Sequence, residues 1–213
     1  MRKLNPALVV ALMAAAGLWM FSRTARGASV IDDAFDYGAG MIDYGVDSMR
    51  LGEDNVRAFL TLIGYSEGTE QALDPYRVVY GYKHTIRDFS DHPAVTGEWT
   101  GERLSDALCR AAGFGPGCIS TAAGRYQIIR PTWLSAKSAL GLTDFTPESQ
   151  DRAALWLIEQ GGALDDVRAG RVGDAVSKVR RTWASLPASG WGQPERSMPS
   201  LIAAYTSAGG TLA

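Results

Sequence analysis

The 213-residue sequence predicts an α+β, mainly helical domain with a small β-hairpin region, preceded by an N-terminal transmembrane or signal segment. Three observations lead to this class. Apolar residues recur at helical spacing in several segments between residues 54 and 210. Two short β-prone runs, residues 77–82 and 85–89, stand among them. At the start of the chain, basic residues bracket an unbroken apolar run.

That run is Pro6 to Phe21, rich in alanine, between Met1-Arg2-Lys3 and Ser22-Arg23-Thr24-Ala25-Arg26. Its 16 residues fall just short of the ~17–25 that span a bilayer comfortably. Ala25-Arg26-Gly27 offers small residues for cleavage before Ala28, whereas Arg23 and Arg26 on the far side favour a retained anchor. A buried core helix is the remaining reading. Residues 1–27 are therefore expected to be a signal-anchor or signal peptide and a partner for the membrane. In residues 28–53, Ile31, Ala34, Phe35, Ile42 and Met49 gather near one helical face and Asp32, Asp33, Asp36, Asp43 and Asp47 largely elsewhere. This segment reads as a linker or amphipathic stalk. Residues 54–213 are long enough to bury a full core and form the globular domain.

The formal net charge is −2, but four of the 21 basic residues precede Asp32. From residue 28 onward, 17 basic residues face 23 acidic ones, a net of −6. Nucleic-acid binding needs a basic face, so no nucleic-acid partner is expected, and the domain is expected to be a monomer. Two histidines, His84 and His92, and two cysteines, Cys109 and Cys118, offer no familiar metal-ligand spacing. No metal or cofactor is expected. The cysteines enclose a Gly/Pro-containing segment, residues 110–117. In an exported chain the pair is expected to form a local disulfide, and in a cytosolic one two buried thiols.

Val56, Phe59, Leu60 and Ile63 mark a helix from Asp54, its natural N-cap, to about Tyr65. Gly68 is the candidate left-handed residue that stops it, which leaves Glu67 in the last turn beside Tyr65. There the partial negative charge of the helix end opposes ionisation, and a carboxyl that keeps its proton suits a general acid. The plainer reading is a solvated glutamate at a helix end.

The runs Arg77–Tyr82 and Thr85–Phe89, around Lys83-His84, read as a hairpin, with Asp88, Asp91 and His92 at or beyond its second strand. Residues 94–119 break into Gly, Pro and charged residues around a helical candidate at 102–111, the pattern of a lid or binding loop. Ser120-Thr-Ala-Ala-Gly-Arg-Tyr-Gln127 is a small-residue loop followed by Arg125, Tyr126 and Gln127. Trp133, Leu134 and Leu140 before Gly141 continue it as a helix. Thr146-Pro147-Glu148 opens another that stops at Gly161-Gly162. Val172, Ala175, Val176, Val179 and Trp183 mark a third, and Leu201, Ile202, Tyr205 and Ala208 a fourth. Trp156 and Trp183 read as core, while Trp191, in a Gly/Pro-rich stretch, is the candidate for stacking on a ligand ring.

With these residues in place the chain resembles the lysozyme, or endolysin, family typified by that of bacteriophage lambda. The resemblance runs from about Asn55 to the C-terminus. It rests on Ala58-Phe-Leu60 with Ser66-Glu67-Gly68-Thr69, on Phe89-Ser-Asp-His-Pro93, on the 120–127 loop, on Leu140-Gly-Leu with Asp144-Phe and Ser149-Gln-Asp151, and on Trp183-Ala-Ser-Leu-Pro187, Gly192-Gln193 and Ala208-Gly-Gly-Thr211. It implies a lysozyme-like catalytic domain acting on peptidoglycan glycan strands, with Glu67 on the catalytic glutamate. Tyr65, Ser66, Arg125, Tyr126, Gln127 and Trp191 are the substrate-binding candidates read from the residues themselves, with a structural hydrogen-bonding role as the alternative for Ser66, Tyr126 and Gln127. Residues 94–119 and about 186–196 correspond to the two mobile lips of the family cleft. The first lip is longer here and carries both cysteines, and the N-terminal 50 residues have no counterpart in the lambda enzyme.

The family implies lytic transglycosylase chemistry, in which the muramic acid C6 hydroxyl attacks its own C1 and leaves a 1,6-anhydro end. A hydrolytic muramidase using Asp88 or Asp91 as second carboxylate is the alternative, as is an inactive peptidoglycan-binding virion component. Delivery to the periplasmic side of the host inner membrane for lysis, and a virion-borne wall-entry enzyme held in a viral membrane, both fit the N-terminal segment.

Overall fold

The computed structural model describes residues 46–213. The expected signal or anchor at 1–27 and all but the last part of the expected stalk at 28–53 lie outside the described residues, and among those described no helix is long and apolar enough to cross a membrane. The described residues build eight α-helices with one two-stranded sheet. They are α1 (Val46–Ser66), α2 (Pro93–Thr96), β1 (Glu102–Arg103), α3 (Asp106–Ala111), β2 (Ile119–Ser120), α4 (Arg130–Leu140), α5 (Pro147–Gln160), α6 (Leu164–Arg168), α7 (Val172–Val179) and α8 (Met198–Ser207).

The fold is assembled around α1. Its Ala58, Phe59, Leu62 and Ile63 are wholly buried, and it packs on α8, α6 and α5. Each such large aliphatic or aromatic side chain contributes roughly 1.5–3 kcal/mol by leaving water. Helix α1 crosses the expected domain boundary at 53/54 without a break, and Asp54 is an interior residue paired with Arg57 rather than the N-cap. Tertiary contacts extend it. Gly52 lies against the Arg168 side chain, and Asn55 donates to Arg168 O at 3.0 Å while accepting from Thr211 N at 2.8 Å. The first turns of α1 are thereby tied to α6 and to the C-terminal tail.

The other helix ends follow their sequence signals. Thr146 Oγ1 accepts from Ser149 N, with Pro147 at the start of α5, and Gly141 ends α4 in the left-handed region. Trp183 is buried and Trp156 half-buried against the core, as packing groups. Trp183 sits beyond α7, which stops at Val179.

The expected hairpin at 77–89 is not formed. Pro75–Arg77 and Tyr80–Tyr82 are short 3-10 turns, joined to the returning chain by one bridge, Val78 to Thr85. Turn chemistry outweighs strand propensity: Asp74 caps Tyr76 N, Arg77 binds Asp74 and Ile86 O, and Gly81 and Tyr82 are both left-handed. The only sheet among the described residues lies in the first lip, where β1 pairs antiparallel with β2, Glu102 opposite Ser120. The helical candidate at 102–111 is accordingly shorter, beginning at Asp106 under a Ser105 cap. A disulfide joins Cys109 to Cys118 across a Cα–Cα distance of 5.7 Å, closing α3 onto the entry to β2.

Candidate active site

Glu67 follows directly on α1. Its amide donates to Ile63 O at 3.0 Å, and Gly68 then turns left-handed at φ 78°, where a side chain would be strained. The carboxyl is drawn out of water while the residue remains only half-buried, so the acid is desolvated yet reachable. Burial pushes its pKa up to about 7; the Ser185 hydroxyl and amide, and then the Arg196 charge, pull in the other direction and do not prevail. Desolvation, rather than the helix end or Tyr65, is the dominant cause of this proton retention. No carboxylate contributes to the shift.

A line of hydroxyls holds the acid. Ser185 Oγ donates to Glu67 Oε1 at 2.6 Å and lies 2.8 Å from Ser66 Oγ, which is 2.9 Å from Ile63 O. The Arg196 guanidinium stands 5.2 Å over the Tyr65 ring, and Arg196 N donates to Ser185 O at 2.8 Å. Tyr65, Ser66 and Glu67 thus meet Ser185 and Arg196 from the far end of the chain.

Arg125 and Tyr126 do something different. Arg125 binds Glu70 at 2.6 Å, Thr61 Oγ1 at 3.0 Å and the Tyr76 hydroxyl at 3.0 Å. Tyr126 is wholly buried and donates to Asp151 at 2.5 Å, so the expectation that it contacts substrate is corrected. These residues brace the site from behind: Thr69 Oγ1 donates to Arg125 O at 2.6 Å, and Trp183 Nε1 donates to Tyr126 O at 3.0 Å. The second bond fixes the strand of chain that presents Ser185. Gln127, at φ 47°, donates to Gly124 O and Val78 O, which leaves its amide oxygen as the end that can meet a ligand. Gly124 has no room for a side chain, because Gln150 fills that space and binds Arg125 N at 2.9 Å.

Trp191 is half-buried, its indole N–H donating to Arg181 O at 3.0 Å. The two lips meet nearby: a methyl group added at Gly192 would stand 2.7 Å from Ala111 Cβ, at the end of α3. Neither aspartate considered as a second carboxylate joins Glu67. Asp91 accepts from Trp133 Nε1 at 2.7 Å and Lys137 Nζ at 2.6 Å, and exposed Asp88 accepts from Ser90 N at 2.8 Å. Sequence reasoning did not single out Ser185 or Arg196. Ser185 lies within the Trp183–Pro187 motif, which was its only signal.

A mainly helical domain with one desolvated acid at the end of its central helix defines the lysozyme-like class. The comparisons with known proteins agree. The chain aligns with the solved lambda lysozyme complexed with a chitohexasaccharide at a TM-score of 0.63 and 33% identity, covering 82% of this chain and all of that one. A second lambda lysozyme structure aligns at 0.60 and 32% identity, with the same coverage. Among curated proteins it is 40% identical over 166 residues to the endolysin of Escherichia phage P2 (73% of this chain, 93% of that one). It is 36% identical over 161 residues to the endolysin of Escherichia phage lambda (73% and 92%). The endolysin family profile matches residues 57–212, and the chain belongs to that family.

Proposed function

We propose that the protein is a peptidoglycan lytic transglycosylase that cleaves the β-1,4 bond between N-acetylmuramic acid and N-acetylglucosamine. The observation that carries this reading is the solitary acid: Glu67 keeps its proton near neutrality, and no carboxylate shapes it. Hydrolysis with two carboxylates places them about 5–9.5 Å apart, whereas Asp88 and Asp91 are engaged in their own turns and ion pairs. One group that is acid and then base is sufficient for an intramolecular displacement.

The Glu67 carboxyl O–H donates to the glycosidic oxygen as the C1–O bond breaks, and the N-acetylglucosamine end leaves as an alcohol. The carboxylate then takes the proton of the muramic acid C6 hydroxyl while O6 bonds to C1. Glu67 is protonated again, no water is consumed, and the product ends in 1,6-anhydro-muramic acid. The tethered hydroxyl supplies an effective concentration that a free water lacks. Ser185 holds Oε1 through both halves and stabilises the carboxylate between them. In this reading Gln127 orients the sugar and Trp191 stacks on it. Borohydride treatment of digested peptidoglycan tests the reading, since hydrolysis leaves reducible ends and the anhydro product does not.

The address is a second part of the proposal. Residues 1–27 carry the chain to the periplasmic side of the host inner membrane, and a retained anchor keeps it there for host lysis. Alkaline carbonate extraction of expressing cells should leave the full-length chain in the membrane fraction; a shorter, wholly soluble form would overturn the anchor.

A further inference from the structure

Arg196 is a cation placed next to the acid of an otherwise acidic domain. Its guanidinium lies over Tyr65, close enough to Glu67 to act on its charge, and within 3.7 Å of where a side chain at Gly68 would stand. Its main chain is fixed by the bond to Ser185 O. The neighbouring carboxylate is not its partner: Glu195 turns away to accept from Ala188 N at 2.8 Å and Ser189 N at 2.9 Å. Among the described residues Arg196 makes no ion pair with a protein carboxylate, and burial raises the pKa of the acid beside it to about 7.

A half-buried guanidinium held by an aromatic face, and lacking an anion, is built to receive one. Peptidoglycan supplies such an anion at that place. Its muramic acid carries, at C3, a lactyl ether that leads into a peptide with free carboxylates. The same sugar is cut at C1, so the stem begins within two ring carbons of the scissile bond. We propose that Arg196 binds a stem-peptide carboxylate of the substrate, making the site selective for peptide-bearing, anionic glycan over neutral glycan. Gly68 places no side chain beside the guanidinium, and the Tyr65 ring lies 5.2 Å from it.

This inference rests on the peptidoglycan reading but not on the fate of the cut bond, so it is tested by binding. Full-length Glu67→Gln protein, with Arg196 intact or carrying Arg196→Gln or Arg196→Lys, would be titrated calorimetrically with three probes. These are soluble muropeptide oligomers with free stem carboxylates, the same oligomers with those carboxylates converted to methylamides, and chitohexaose. Arg196→Gln is expected to weaken binding of the carboxylate oligomers by about tenfold, the scale of one charge-assisted hydrogen bond, and to leave the other two probes unchanged. Arg196→Lys should recover part of the loss. Equal weakening of all three probes, or none of any, overturns the proposal, as does failure of the parent to prefer the carboxylate form. Thermal unfolding of each variant separates lost binding from lost fold. Water-adding chemistry by the wild type would overturn the transglycosylase reading and leave these ratios as they are.

Discussion

Ser185 Oγ donates to Glu67 Oε1 at 2.6 Å although the two residues are 118 positions apart. The contact joins the end of the central helix to the start of the second lip. It also works against burial: the Ser185 donors lower the Glu67 pKa that desolvation has raised to about 7. With Glu67 as the proposed general acid, the protonated form is the active one, so activity should fall as pH rises through about 7. Ser185→Ala removes one stabiliser of the carboxylate, so the alkaline limb of kcat/KM should move to higher pH. Its plateau should drop about ten- to a hundredfold, the value of a hydrogen bond to a charged group. Ser185→Thr should restore both. A pH–rate profile unchanged in Ser185→Ala would show that the hydroxyl has no part in proton transfer.

Asp91 is a structural anion. It is pinned between Trp133 and Lys137, and the N–H donors and Lys137 charge hold its pKa low although burial alone would raise it. Asp91→Asn should lower unfolding stability by about 1–3 kcal/mol, allowing for partial exposure of the pair, without changing the chemical identity of the product. Loss of turnover in a variant with native stability would instead identify it as a second catalytic carboxylate.

His92 is fully buried and neutral. Nε2–H donates to Ile128 O at 3.0 Å, Nδ1 accepts from Ala94 N at 3.1 Å, and burial depresses its pKa from 6.5 to about 4. Between those values the unfolded chain binds the extra proton and the folded chain does not. Its stabilising contribution is therefore complete above pH 6.5 and shrinks as pH falls towards 4, by up to about 3 kcal/mol. Denaturant unfolding across that window should show a shallower pH slope in His92→Gln than in the wild type; parallel slopes would contradict the assignment.

The Cys109–Cys118 disulfide closes a short loop in the first lip, next to the point where Ala111 meets Gly192. Reduction is expected to cost about 2–3 kcal/mol by the loop-entropy relation. The thermal midpoint should fall on adding reductant in the wild type and stay fixed in the Cys109→Ala, Cys118→Ala double variant. A reductant-insensitive wild type would show that the bridge carries no stability.

The sequence exposed the parts of this molecule that are local. Gly68 and Gly141 end their helices, Thr146 caps α5, and Glu67 lies where its motif places it. Resemblance to the lambda-type family added the chemistry, and the family match agrees with the resemblance. The failures have physical causes. Residues 77–82 have strand composition, but Asp74, Pro75 and Arg77 impose turns. Helix α1 begins eight residues before Asp54 because Asn55 and Gly52 are anchored by chain more than 100 residues distant. Tyr126 stands in a loop motif that reads as ligand-facing, yet its hydroxyl turns inward to Asp151. Nothing in a serine after Trp183-Ala, or an arginine after Glu195, announces an acid across the fold.

The central claim is that Glu67 alone runs a cleavage that consumes no water. Purified peptidoglycan digested by the full-length protein in heavy-oxygen water, with product masses read by mass spectrometry, tests it most directly. The account predicts disaccharide-peptides one water lighter than hydrolysis products, free of solvent oxygen at the new end, and absent when Glu67→Gln replaces the wild type. Products that carry one heavy oxygen at a reducing end would contradict it.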